Sequence, residues 1–119
     1  MCFSATASFG ASIVLTGIGV ASLKQVKEPA QYPFASIPLI FGVQQFFEGV
    51  VWIASTNSQW SGYQYPAAYG FLVIAQMVWP LLFPLAFQRI EKDVSRRKLI
   101  RLLQIPGIMI AAYFLYCLM

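Results

Sequence analysis

Four runs of about 20 predominantly apolar residues fill most of this chain, and a helix of that length matches the hydrocarbon thickness of a bilayer. The runs cover residues 4–23, 33–54, 66–87 and 99–119. Only 10% of the 119 residues are charged and 59% are hydrophobic; a soluble domain carries about 25% charged residues. So few charges cannot cover a water-facing surface. The sequence therefore predicts an all-α integral membrane protein, a single domain over residues 1–119 with four transmembrane helices. Every connection is short, so consecutive spans should run up-down-up-down in an antiparallel bundle.

The first run differs from a secretory signal because its lysines follow the apolar stretch and none precede it. It is read as a retained helix. The fourth run reaches Met119 without a polar flank, which fits either a terminal span or the point where a longer chain was cut.

Orientation follows from the basic residues. The segment "KQVKEPAQY" holds Lys24 and Lys27, and "QRIEKDVSRRKLIR" holds Arg89, Lys92, Arg96, Arg97, Lys98 and Arg101. Together these are all 8 Lys and Arg of the chain. The N-terminal tip and "STNSQWSGYQYP" hold none. Basic loops stay cytoplasmic, so both termini should lie outside, with Trp60, Tyr63 and Tyr65 in an outer aromatic belt. The net charge of +4 then reflects orientation and calls for no nucleic-acid partner. Arg96, Arg97 and Lys98 would meet anionic lipid headgroups.

In lipid, small residues and polar contacts join helices. Ser8, Ser12, Thr16 and Gly19 line one face of the first span and predict a close-packed seam. Pro80 and Pro84 interrupt the third span, because each lacks the amide hydrogen for the carbonyl four residues back. A kink and a polar patch near Gln76 are expected.

The second span carries the unusual chemistry. In "FGVQQFFEGVVW", residues Gln44, Gln45, Glu48 and Trp52 fall within an arc of about 100°. Val43, Phe46, Val50 and Ile53 lie opposite. This polar stripe must face protein, since an acidic residue at a span's centre costs about 2.5–3.5 kcal/mol. At 1.5 Å per residue, Glu48 lies roughly 9 Å below the outer end, Gln44 about 15 Å and Gln76 about 14 Å. A Gln44–Gln76 hydrogen bond is therefore expected, with Glu48 above it. No Lys or Arg lies within a membrane core to neutralise Glu48. It is either a neutral acid that donates a hydrogen bond, or an ionised one that holds a cation or faces water. Its role is either functional or a hydrogen bond that fixes packing. Trp52, one turn above, offers a cation–π wall for an organic cation, or simply anchors the helix at the interface.

No histidine occurs, and the two cysteines, Cys2 and Cys117, lie at opposite ends. That argues against a zinc site, a His-ligated haem and a His-based triad. A disulfide between the two in an oxidising exterior and two free thiols both remain open. Cys2, Ser4 and Glu48 are little chemistry from which to assemble an enzyme, so a non-enzyme is expected.

"MCFSATASFGAS" and "ASIPLIFGVQQFFEGVVW" resemble an uncharacterised family of bacterial multi-spanning membrane proteins with an MCFSA-type N-terminus. The pattern in the second span falls here on Pro38, Leu39, Gly42, Gln44 or Gln45, and Glu48. Gln76, Pro80 and Pro84 extend the likeness. The family has longer members with further spans, so this chain would be a short member or an N-terminal portion. The resemblance implies a bacterial inner-membrane location and the fold, and no activity.

Two functions compete. One is proton- or cation-linked transport, or cation binding, through Glu48. Small multidrug exporters share four spans and one membrane glutamate, a likeness of size only. Those pair in opposite orientations, which the one-sided charge here forbids, so a parallel homo-oligomer would be needed. The other is a non-catalytic accessory or ligand-binding subunit of a larger membrane complex.

Overall fold

Ser4 starts the first helix: its Oγ accepts the Ala7 amide at 3.2 Å, an N-cap on α1 (Ala5–Lys24). The computed structural model describes residues 4–119, and Cys2 lies outside them. α1 stops at the "KQVKEP" segment, where Gln31 Oε1 accepts the Lys27 and Glu28 amides at 3.1 and 3.4 Å. A short turn, α2 (Tyr32–Ala35), leads into α3 (Ile37–Thr56). The break between them at Ser36 follows from Pro38, which has no amide to offer the Phe34 carbonyl. Apolarity alone merges the two, which is why the run begins at 33 and α3 does not.

Asn57 ends α3 in an extended conformation and caps a 3-10 segment, Ser58–Tyr63, through Oδ1 to the Gln59 amide at 3.0 Å. The third pass comes in three pieces. α4 (Gln64–Val73) runs into a π-helical turn, Ile74–Val78, and then α5 (Trp79–Ile90). The Trp79 amide bonds the Ile74 carbonyl five residues back. Pro80 follows at once, and its ring and missing amide disfavour a regular α-turn over Gln76. Pro84 sits inside α5 without ending it. Asp93 Oδ1 accepts the Ser95 and Arg96 amides at 2.8 and 3.3 Å and opens α6 (Val94–Leu118). α6 thus starts more than one turn before the apolar run at Leu99, because its first turns are helical but basic.

Four helical passes are long and apolar enough to cross a membrane: Ala5–Lys24, Pro29–Thr56, Ser58–Ile90 and Val94–Leu118. They pack antiparallel in chain order. α1 lies on α3 along the predicted seam. Ser8 and Ser12 are buried, Ser12 Oγ donates to the Gly42 carbonyl at 2.7 Å, and Thr16 fills the space a Cβ on Gly42 would need. Gly49 faces the Phe9 ring.

The third pass changes partner along its length. α4 packs on α3, with Gly70 against the Phe47 ring, whereas α5 packs on α6. The π-turn touches both α3 and α6. Gly107 of α6 lies directly on the Pro80 carbonyl, the group that Pro84 leaves without an amide. Gln104 Nε2 donates to the Leu81 carbonyl at 3.0 Å. No Cα of α1 comes within 8 Å of one in α4, α5 or α6 among the described residues. The bundle is therefore an open row, with α1 and α6 at its edges and extents of 54 × 35 × 20 Å. α2 meets α5 at one end of the row, which brings the two basic segments together there.

Candidate functional site

α3 is polar on the inside and apolar on the outside. Gln44 and Gln45 are each 8% exposed, whereas Val43 and Phe46 beside them are 44% and 50% exposed. That reverses the soluble pattern and is what a helix does when its outer neighbours are lipid chains. Three residues of α3, Gly42, Gln45 and Gly49, share the side toward α1 by their spacing. Gln44, Phe47, Glu48 and Trp52 turn toward the third pass.

Gln44 Oε1 accepts the indole N–H of Trp79. Trp79 is itself buried, its ring between Phe41 and Phe83 at centroid distances of 4.3 and 4.8 Å. A buried Trp needs a partner for its N–H, and a buried amide oxygen needs a donor. Each satisfies the other across the α3–α5 junction.

Gln45 Nε2 donates to Glu48 Oε2 at 3.0 Å, one turn along the same helix. Glu48 is half-buried. With Val51 and Trp52 of α3, and Ala68, Phe71 and Leu72 of α4, it lines an open groove of about 400 Å³. The groove therefore holds one carboxylate, one indole and four apolar side chains. Such a lining can accept a positively charged group with an apolar body: the carboxylate supplies the charge, the indole face the polarisable wall. Among the described residues no group of three or more His, Cys, Asp or Glu stands together to hold a metal ion.

The sequence-derived site is brought together in part. Gln45, Glu48 and Trp52 gather on one length of α3, and Gln44 is buried near them. Gln76 is not: it lies exposed within the π-turn. The expected Gln44–Gln76 bond is replaced by Gln44–Trp79. A π-turn inserts about one extra residue into the ladder, so positions beyond it rotate off the face that a 100° step assigns. Depth along the membrane put Gln76 level with Gln44, but the rotation carries it outward and brings Trp79 in. Trp79 and Gln104 are the residues that sequence reasoning passed over. The signal for Trp79 was its place directly before Pro80, within one turn of Gln76.

Ser8 adds a loose end. Its side chain is fully buried against α3, and Oγ has no hydrogen-bond partner among the described residues.

Fold and site together define an all-α protein of four apolar, membrane-length passes, joined internally by glutamine and tryptophan. Residues 1–119 match a family of unknown function (DUF6629), and the chain belongs to that family. No curated protein and no solved structure matches the chain.

Proposed function

We propose that this protein is a membrane-embedded binding module for an amphiphilic cation, held in the α3–α4 groove by Glu48 and Trp52. The observation that supports this is the pairing of one carboxylate and one indole on a single otherwise apolar groove. A charge there lies beside low-dielectric protein and lipid, where attraction between opposite charges exceeds its value in water. Gln45 orients the carboxylate through its amide. The bilayer is the proposed setting, a bacterial inner membrane, with the basic end of the row on the cytoplasmic side.

The test is equilibrium binding of tetraphenylphosphonium to purified protein in detergent. Wild type should bind saturably. Glu48→Gln keeps the shape and the hydrogen-bonding capacity but removes the charge, and should weaken binding about tenfold or more. Trp52→Leu should weaken it about two- to fivefold. Superimposable curves for wild type and Glu48→Gln would sink the proposal.

A second reading, that of a subunit in a larger membrane assembly, is favoured by the open row. Among the described residues, α1 and α6 each have one long helical neighbour, and Ile13 and Met109 on them are 74% and 66% exposed. Transport would require further copies to enclose a path, in parallel orientation. Chemical cross-linking in native membranes, read by mass, tests this: a species of monomer mass alone would count against it.

A further inference from the structure

At the basic end of the row, the last turn of α5 and the first turns of α6 flank an open cleft of about 240 Å³, lined by Gln88, Arg89, Arg97 and Arg101. Among the described residues no carboxylate lines it. The two acidic residues of the intervening turn are committed to backbone amides: Glu91 Oε1 accepts the Asp93 amide at 3.0 Å, and Asp93 caps α6. Arg97 is fixed in place, since Nε and Nη2 both donate to the Glu91 carbonyl at 3.2 and 2.7 Å. That bidentate hold ties α6 back to the end of α5 and leaves the guanidinium edge beside the cleft. Arg101 follows one turn later on the same face, and Arg89 faces them from α5.

We propose that this cleft is a binding site for a phosphate group at the membrane surface, the phosphodiester of an anionic phospholipid being the nearest source. Three guanidiniums and one side-chain amide around a small polar cavity match the acceptor oxygens of a phosphate better than they match any cation or apolar ligand. The location fits as well. Arg89 closes one membrane-length pass and Arg97 and Arg101 open the next, so the cleft sits at headgroup depth. Arg96 and Lys98 belong to the same basic run but do not line the cleft. The run therefore divides into residues that line the cleft and residues that do not, a division its sequence alone does not show.

Thermal stabilisation of the full chain in a neutral detergent separates the alternatives. The ligands are short-chain phosphatidylglycerol, short-chain phosphatidylcholine and inorganic phosphate. Phosphatidylglycerol should stabilise wild type saturably, and phosphatidylcholine should do so much less. Arg89→Gln with Arg101→Gln should shift the half-saturating concentration about fivefold or more. Arg96→Gln with Lys98→Gln removes the same charge outside the cleft and should shift it less than about twofold. Arg97 is left intact because it also holds the turn. If millimolar inorganic phosphate displaces the lipid, the site serves free phosphate; if it does not, the site serves the headgroup. Either result supports a phosphate site. Equal shifts for the two double variants, or no saturable effect in wild type, would overturn it, since both would reduce the cleft to general surface charge.

Discussion

Two buried polar side chains in this protein have opposite standing, and the difference is measurable. Trp79 and Gln44 complete each other across two passes. Trp79→Phe removes the donor, leaves a buried amide oxygen unpaired, and should cost about 1–2 kcal/mol. Replacing Gln44 by Leu in the same chain should recover part of that loss, because no acceptor is then left waiting. Ser8 has no partner for its hydroxyl among the described residues, so Ser8→Ala should be neutral or stabilising. Unfolding of each variant in mixed detergent, followed by helical circular dichroism, gives the order. Ser8→Ala destabilised as much as Trp79→Phe would show that the hydroxyl is satisfied in solution. At this scale much was legible beforehand. Gln44 and Gln45 had to be inside, because two amides on a membrane span have nowhere else to go. The identity of Gln44's partner was hidden, because periodicity assumes a constant turn and the π-segment breaks it between Gln76 and Trp79.

The elements are held by close approach as much as by hydrogen bonds. Lipid removes the hydrophobic drive between helices, so contact area and small residues carry the association. The α1–α3 seam could be read from the spacing of Ser8, Ser12, Thr16 and Gly19, and the structure packs that stripe on Gly42 and Leu39. The α5–α6 contact could not. Gly107 is an isolated glycine in sequence, and it is needed because Pro84 strips an amide from the Pro80 carbonyl, which then lies against α6. A methyl group at Gly107 would collide with that oxygen. Gly107→Ala should therefore destabilise by about 1–3 kcal/mol, as overpacking does. Gly17, on the outer side of α1, meets nothing within 4 Å of its notional Cβ. Gly17→Ala should stabilise by about 0.5–1 kcal/mol through helix propensity. Opposite signs for these two otherwise identical changes are the expectation; a Gly107→Ala chain as stable as wild type, or more so, would mean that α5 and α6 are not packed at Pro80.

For the whole molecule, short connections place consecutive helices side by side but leave open whether the last returns to the first. Here it does not, and the row stays open. What the row does collect is charge. The segments carrying Lys24 and Lys27, and Arg89 to Arg101, meet at one end through α2 and α5. The other end carries uncharged polar and aromatic residues such as Gln59, Trp60 and Tyr63. All 8 Lys and Arg of the chain lie in those two segments, and loops rich in Lys and Arg stay on the cytoplasmic side. The expected orientation, part of the proposal above, therefore has the basic end on the cytoplasmic side in a single population. In a chain with Cys2 and Cys117 replaced by Ser, Gln59→Cys should react with a membrane-impermeant maleimide on intact cells. Lys92→Cys should react only after the cells are opened. Both side chains are exposed, and neither donates nor accepts in the bonds described above, so labelling reads access and not folding. Reaction of Lys92→Cys in intact cells would reverse the orientation and would move the arginine cleft to the opposite leaflet. It would leave the Glu48 groove at a similar depth, since that groove is measured from α3 and α4 and not from the charges.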